Sequence, residues 1–134
     1  MHTQEVVADS LHHILPDNIR ILVVDDDEDI RWLFKYILSK AGYNVEAVDD
    51  SFNALEKIRE KEFNIAILDY ILPEMKGSQL AEEIKKIKPY MKIVFVTGFA
   101  DFADEINNGL ESSQYALIKP VTQEILLKTI KEIL

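Results

Sequence analysis

The sequence predicts a doubly wound α/β domain, and two patterns along the chain predict it. Three short apolar runs, rich in β-branched residues, fit strands of a parallel sheet that is covered on both faces: residues 21–24, 65–68 and 93–96. Longer segments with apolar residues at helical spacing separate them. Because parallel strands are joined by right-handed crossovers, a β-α order repeated five times places helices on both faces of one sheet.

Two further strand candidates are less apolar. Residues 43–48 alternate apolar with polar side chains through Glu46, and residues 115–118 form only a short run. Such strands suit the edges of a sheet, where helices bury the strands less completely. We therefore expect these two segments at the edges.

The helices between the strands have recognisable starts and ends. Gly42 stands where the first helix would end, and Ser51 and Ser78 are predicted to cap the next two. Thr122 is predicted to open the last helix, and a weaker helical pattern covers residues 102–110. The first helix carries an apolar stripe at helical spacing: Ile30, Leu33, Phe34, Ile37, Leu38 and Ala41.

Length and composition limit the class of protein. The chain has 134 residues, enough for one domain with its own core. Lys and Arg number 15 against 24 Asp and Glu, and this net charge of −9 argues against direct binding of nucleic acid. The absence of cysteine excludes disulfides and thiolate metal sites. The sequence contains no apolar run of membrane-spanning length and no signal-peptide pattern, so we expect a cytoplasmic protein that does not contact a membrane.

Residues 1–18 differ from the rest and are interpreted as an N-terminal extension, with the domain covering residues 19–134. Pro16 would end a short helix there, because proline cannot continue one. His12 and His13 are an improbable metal pair, since adjacent residues do not share a helix face. The apolar residues of this extension could form one stripe: Val6, Val7, Leu11, Ile14 and Leu15.

Polar side chains follow the predicted strands at their carboxyl ends. An acidic run, residues 25–29, follows the first strand, and Asp69 follows the third. Thr97 and Lys119 follow the fourth and fifth. Because ligands of open α/β sheets bind beyond the carboxyl ends of the strands, we expect these groups to meet at one rim.

Clustered carboxylates favour a divalent cation with oxygen ligands. Histidine is confined to the extension and cysteine is absent, so Mg²⁺ fits this rim better than zinc or copper. Asp69 can then serve as a nucleophile, with Lys119 as a positive charge and Thr97 as a hydroxyl donor for a phosphoryl group. Residues 27–29 are explained by a simpler role, since acidic side chains stabilise the first turn of a helix.

Four motifs in order make the chain resemble the receiver domain of bacterial two-component response regulators. The resemblance covers residues 19–134. The motifs follow the first, third, fourth and fifth predicted strands: Asp25-Asp26-Asp27, Asp69-Tyr70-Ile71-Leu72-Pro73, Val96-Thr97-Gly98 and Ile118-Lys119-Pro120.

The resemblance implies a flavodoxin-like three-layer sandwich with strand order 2-1-3-4-5. It implies that Asp69 is phosphorylated from the phosphohistidine of a sensor histidine kinase or a phosphotransfer protein. Asp25 and Asp26 would bind Mg²⁺ together with Asp69, and the backbone carbonyl of Ile71 would be a further ligand. The remaining site residues would be the switch hydroxyl and the phosphate-binding lysine: Thr97 and Lys119, with a cis Lys119–Pro120 bond.

The sequence departs from the receiver pattern at the switch. Receivers usually carry an aromatic residue three positions before the lysine, where this chain has Ala116 beside Tyr115. Phe99 and Phe102 are candidates for the moving apolar group instead. The family's small Gly-Ala pair before the last strand is replaced by serines at 112–113.

The function that we predict is a phosphorylation-dependent switch that binds a downstream effector or output domain, with a second copy of the chain as a further candidate partner. Ile125 and Leu127 are expected to be exposed on its output face. Such a domain would catalyse its own phosphorylation and dephosphorylation without being a turnover enzyme. One alternative is a Mg²⁺-dependent phosphatase that forms an aspartyl phosphate. Such enzymes usually carry a second acid two residues beyond the nucleophile, to protonate the leaving group, but this chain has Ile71 at that position. The other alternative is a docking module with a vestigial acidic site.

Overall fold

The structure is a computed structural model that describes residues 18–98 and 114–134. Its sheet has five parallel strands in the order β2-β1-β3-β4-β5, which confirms the predicted topology. The strand bounds are β1 Arg20–Val24, β2 Asn44–Val48, β3 Ile65–Asp69, β4 Lys92–Thr97 and β5 Gln114–Ile118.

Four helices lie in the described part of the chain: α1 Glu28–Lys40, α2 Ser51–Glu60, α3 Gly77–Ile87 and α4 Gln123–Ile133. The helix predicted within residues 102–110 lies outside the described residues, as do residues 1–17 of the extension. Among the described helices, none combines the length and the apolar character needed to cross a membrane.

Helices cover both faces of the sheet, so the predicted three layers are confirmed. Successive side chains of a strand point to opposite faces, which divides the core into two clusters. The cluster under α2 and α3 includes Leu22, Val24, Ala54, Ile58, Ala66, Leu68, Leu80, Ile84, Ile93 and Phe95. The cluster under α1 and α4 includes Ile21, Val23, Phe34, Ile37, Leu38, Ile65, Ile67, Val94, Val96, Leu126 and Ile130.

The burial of the strands follows their composition. All but the first residue of β1 are buried, as are the first four residues of β3 and the last five of β4. Strands β2 and β5 are half-buried along most of their length. These two strands form the edges of the sheet, as their weaker apolar pattern predicted.

Two predicted helix caps are wrong. Helix α2 is capped by Asp50, whose side chain accepts the N–H of Asn53 at 2.7 Å, whereas Ser51 is its first residue and is fully buried. Helix α3 begins at Gly77, two residues earlier than a cap at Ser78 would require. At α2 the N–H and hydroxyl of Ser51 are bonded to Glu74, and at α3 the loop is closed by the hydrogen bond from Gly77 to Tyr70. These contacts override the local preference for serine as a cap.

The other predicted helix ends are confirmed. Thr122 caps α4 by accepting the N–H of Ile125 at 3.1 Å. Helix α1 ends at Lys40, and Gly42 follows with a φ of 100°, a conformation that glycine adopts at little cost. At its start, Asp27 accepts the N–H groups of Asp29 and Ile30, so it serves as a cap.

Candidate functional site

The carboxyl ends of the strands bring the predicted polar residues to one rim. Asp25 directly follows β1, and Asp69 and Thr97 are the last residues of β3 and β4. In the register of these parallel strands, Asp69 pairs with Val96 and Thr97 pairs with Ile118. Because the strands are parallel and adjacent, residues far apart in sequence end beside each other.

Three carboxylates form a cluster at this rim. One oxygen from each of Asp25, Asp26 and Asp69 lies within 4.8 Å of the others. Asp25 is buried, the side chain of Asp69 is 11% exposed, and Asp26 is exposed. Such an all-oxygen donor set at the mouth of the rim suits a hard divalent cation.

Lys119 brings a positive charge to the same cluster. Its Nζ lies 3.3 Å from Oδ2 of Asp25 and 3.7 Å from Oδ2 of Asp69. Its backbone N–H donates to the carbonyl of Thr97 at 2.7 Å, and the bond to Pro120 is cis, as the resemblance implies. The ammonium group of Lys119 therefore contacts two of the three carboxylates in the cluster, those of Asp25 and Asp69.

The electrostatics of the rim disfavour the ionised acids. Burial and the neighbouring charge of Asp25 raise the pKa of Asp69 to about 6, although Lys119 opposes the shift. Burial also raises the pKa of Asp25, while its hydrogen bond from Asp27 and the charge of Lys119 act in the opposite direction. A bound cation would relieve this excess of negative charge.

Three contacts that hold Asp25 were not predicted from the sequence. Oδ1 of Asp25 accepts the N–H of Asp27 at 2.9 Å, and the Arg31 guanidinium donates to the Asp25 carbonyl at 2.9 Å. The N–H of Asp25 also donates to the carbonyl of Val48 at the end of β2. Arg31 therefore ties α1 to the acidic rim, but nothing in its sequence spacing indicated this role.

The loop after Asp69 is held on both sides. Oδ1 of Asp69 accepts the N–H of Ile71 at 3.3 Å, and Ile71 forms an isolated antiparallel bridge with Lys76. Oε1 of Glu74 accepts both the N–H and the hydroxyl of Ser51 at 3.0 Å. Glu74 thereby anchors this loop to the start of α2, and the sequence pattern had no signal for it.

Gly77 closes this loop against β3. Its N–H donates to the carbonyl of Tyr70 at 2.6 Å. A Cβ at position 77 would stand 2.5 Å from the carbonyl oxygen of Asp69 and 2.9 Å from Cα of Tyr70. The backbone that carries Asp69 therefore requires a residue without a side chain here.

The switch region is only partly described. Ala116 is half-buried and packs against the core cluster that contains Phe95, whereas Tyr115 packs against the opposite cluster. The candidate moving residues Phe99 and Phe102, and the serines at 112–113, lie outside the described residues. Alanine at position 116 thus leaves no aromatic side chain of β5 on the face of the sheet that carries Phe95.

Of the two side chains predicted to be exposed on an output face, Ile125 and Leu127, one is exposed. Ile125 is 46% exposed on α4. Leu127 is partly buried and packs against the core cluster under α1 and α4, so its predicted exposure is wrong. One further apolar side chain, Ile118 of β5, is 49% exposed.

Comparison with known sequences identifies the family. The sequence model of the response regulator receiver domain matches residues 21–131, which is most of the chain. The chain belongs to the response regulator receiver family. It is 36% identical over 115 residues to the response regulator receiver protein CpdR of Brucella abortus (strain 2308), a match that covers 86% of this chain and 96% of CpdR.

Solved receiver structures share the fold. A CheY-like receiver domain of Methanospirillum hungatei JF-1 is 39% identical, with a TM-score of 0.75 over 85% of this chain and 91% of that one. The response regulator TrrA of Thermotoga maritima, crystallised with Mg²⁺ and BeF, is 30% identical, with a TM-score of 0.76 over 87% and 99%. Other relatives are much longer: the chain spans 27% of the transcriptional regulatory protein ZraR of Escherichia coli (strain K12), at 31% identity over 118 residues.

Proposed function

We propose that this receiver domain acts by accepting a phosphoryl group on Asp69. A carboxylate oxygen of Asp69 attacks the phosphorus of a phosphohistidine, the new O–P bond forms, and the P–N bond to the histidine breaks. The observation that carries the proposal is the carboxylate cluster of Asp25, Asp26 and Asp69, which Lys119 contacts at 3.3 and 3.7 Å. Hydrolysis of the acyl phosphate would return the domain to its starting state.

The acidic cluster fits a magnesium ion. Asp25, Asp26 and Asp69 would hold it, with the backbone carbonyl of Ile71 as a further ligand. Their donor atoms are all oxygens, and three carboxylates face a single ammonium. When bound, Mg²⁺ neutralises charge on the phosphoryl oxygens. The Mg²⁺–BeF complex of TrrA, a related receiver, is in accord with this assignment.

Thr97 and Lys119 would recognise the phosphoryl group. Lys119 Nζ already lies near both Asp25 and Asp69, so little movement would bring it to an oxygen on Asp69. Thr97 is the last residue of the neighbouring strand β4, and its backbone carbonyl accepts a hydrogen bond from the N–H of Lys119. A new dianion on Asp69 would draw both groups inward and bias a two-state equilibrium of the domain.

A turnover phosphatase is a weaker candidate. Such an enzyme would need an acid two residues beyond the nucleophile to protonate the leaving group, and this position holds Ile71, which is 43% exposed. The domain would therefore turn over only its own acyl phosphate.

The biological setting that we propose follows from this chemistry. The phosphoryl donor would be a sensor histidine kinase or a phosphotransfer protein, and the readout an effector or output domain in the cytoplasm. The receiver unit would cover residues 19–134, preceded by an extension at 1–18. The relatives differ in context, since the chain covers nearly all of CpdR but a small part of ZraR.

The first prediction concerns the phosphoacceptor. Incubation with acetyl phosphate and Mg²⁺ should add one phosphoryl mass to the protein, and peptide mapping should place it on Asp69. Asp69→Asn should abolish the adduct, because the amide is not a nucleophile toward phosphorus. Chelation of Mg²⁺ should remove it as well. The measurement is intact-mass and peptide mass spectrometry.

Asp49 offers a matched control for this experiment. It is an exposed carboxylate just beyond β2, at the same rim, but outside the three-carboxylate cluster. Asp49→Asn should be labelled like the natural sequence. Full labelling of Asp69→Asn would refute the assignment. Labelling of the natural sequence to the same level with and without Mg²⁺ would refute it as well.

A further inference from the structure

The turn between β2 and α2 contacts both segments that carry the acidic cluster. At the end of β2, the carbonyl of Val48 accepts the N–H of Asp25 at 3.2 Å. Three residues later in the chain, the N–H and the hydroxyl of Ser51 both donate to Oε1 of Glu74, each at 3.0 Å. One short turn therefore joins the end of β1, which carries Asp25, to the loop that follows Asp69.

Glu74 lies in the part of this loop that is closed by a backbone bridge. Ile71 and Lys76 form the isolated antiparallel bridge, and Glu74 lies between them in the sequence. The N–H of Ile71 also donates to Oδ1 of Asp69 at 3.3 Å. A displacement of Glu74 would therefore reach the backbone of Ile71, whose carbonyl is a proposed ligand of Mg²⁺.

The start of α2 provides a specific acceptor site for this carboxylate. Ser51 is fully buried and is the first residue of α2, where the N–H groups have no partner within the helix. The cap residue Asp50 accepts the N–H of Asn53, whereas Glu74 accepts that of Ser51 from another part of the chain. A negative charge at the start of a helix is favourable, so the contact holds the carboxylate in place.

We propose that Glu74, through Ser51, positions the Ile71 carbonyl for the metal ion. The inference rests on the proposed function, because it concerns the magnesium site of the phosphoacceptor. Glu74 is a positioning residue that contacts neither the ion nor the phosphoryl group. It holds the loop after Asp69 against the turn that also holds Asp25, so that the carbonyl and the carboxylates keep one spacing.

Glu74→Ala tests this inference through the affinity for Mg²⁺, measured by NMR titration of the full chain with MgCl₂. We expect a Kd about ten times higher, since loss of a group that supports a metal ligand typically costs about 10- to 100-fold in affinity. Glu74 is exposed, so its truncation removes little from the core, and thermal unfolding in EDTA checks that the variant is folded. Labelling by acetyl phosphate should need about ten times more Mg²⁺ for its half-maximal rate and should approach the natural rate at saturation.

Glu74→Gln separates position from charge. The amide oxygen of glutamine can still accept both hydrogen bonds from Ser51, but the negative charge is lost. We therefore expect Glu74→Gln to bind Mg²⁺ nearly as tightly as the natural sequence does. Glu82→Ala is the matched control, because Glu82 is an exposed carboxylate on α3 that lines the same surface groove as Glu74. It should leave the Kd unchanged.

Ser51→Ala tests the other partner of the contact. It removes the hydroxyl and keeps the N–H, so it should raise the Kd less than Glu74→Ala does. Added to Glu74→Ala, it should raise the Kd no further, because Ser51 acts through Glu74. A further rise in the double variant would argue against this coupling.

The outcomes distinguish this inference from the proposed function. Equal Kd values for Glu74→Ala and the natural sequence would overturn the inference and leave the proposed function intact. A loss of affinity in Glu74→Gln as large as in Glu74→Ala would also overturn it, in favour of a simple effect of charge. A natural sequence that binds no Mg²⁺ would overturn the proposed magnesium site and the inference together.

Discussion

Asp69 is held where its negative charge is unfavourable, because its side chain is mostly buried and lies near the carboxylate of Asp25. Its pKa of about 6 reflects burial and the proximity of Asp25, which the single ammonium of Lys119 does not offset. Since the folded-state pKa lies above the ordinary value of 3.8, folding favours the protonated form. The corresponding stability is present below about pH 4 and is lost as the pH rises through about 6.

The second prediction concerns this pH dependence. In the absence of Mg²⁺, Asp69→Asn should unfold at a higher temperature than the natural sequence at pH 7.5, because the amide carries no buried charge. The difference should shrink toward pH 4.5, where the natural Asp69 is mostly protonated. Thermal unfolding in EDTA at the two pH values measures it.

Asp49→Asn is again a suitable comparison for this experiment, because it removes one exposed carboxylate from the same rim. It should change the unfolding temperature little and by a similar amount at both pH values. A gain for Asp69→Asn that is the same at pH 4.5 and pH 7.5 would contradict the assigned pKa.

Contacts within the segments that connect strands and helices help to position the site. The loop between β3 and α3 is closed by the hydrogen bond from Gly77 to Tyr70 and anchored by Glu74 on Ser51. The turn between β1 and α1 is held by the Asp27 cap and by Arg31. These contacts fix the backbone on either side of the acidic cluster.

The third prediction is that Gly77→Ala destabilises the domain. Alanine would normally favour a helix start over glycine by up to about 1 kcal/mol. Here its Cβ would meet the carbonyl oxygen of Asp69 at 2.5 Å, so the backbone must shift. We expect a net loss of about 1–3 kcal/mol in the free energy of unfolding, the usual cost of overpacking. Urea denaturation measures it.

Gly98→Ala provides the steric control. Among the described residues, a Cβ at position 98 would meet only the flexible Lys119 side chain, at 4.0 Å. This variant should keep nearly the natural stability. A Gly77→Ala domain as stable as Gly98→Ala would show that the loop relaxes freely.

At the scale of the whole molecule, the site joins parts of the chain that are far apart in sequence. Lys119 reaches Asp25 across 94 residues, from the edge strand β5 to the inner strand β1. Any ligand that binds this cluster in the folded state therefore stabilises the packing of the entire sheet, because the unfolded chain cannot assemble the site.

The fourth prediction is that Mg²⁺ raises the unfolding temperature at pH 7.5. Binding to the folded state alone contributes about 2.7 kcal/mol when the ion concentration is a hundred times Kd. Asp25→Asn should remove most of the gain, because it deletes a buried carboxylate of the proposed magnesium site. Scanning calorimetry measures it, with NaCl at equal ionic strength as the control for screening. An equal gain from NaCl would argue against a specific site.

The fold and the members of the site were predictable because their signals are local. The apolar runs of β1, β3 and β4 are typical of strands covered on both faces, and the β-α order predicts helices on both sides of one sheet. The strand order came from the resemblance to receiver domains, and the structure confirms it. Asp69 and Lys119 were identifiable because each directly follows or ends a strand within a motif, and parallel strands bring such positions together.

Other features depend on neighbours that are distant in the chain, and only the tertiary structure decided them. Ser51 resembles a cap, but its N–H and hydroxyl bond to Glu74, so Asp50 takes that role. Arg31 contacts the Asp25 carbonyl, and Trp32 is left exposed, although both belong to the same helix. The sequence by itself determined the strands, the alternation of strands with helices and the acidic rim, since periodicity and motif position encode them. Long-range hydrogen bonds and burial decided the rest, because they depend on which surfaces meet after the chain has folded.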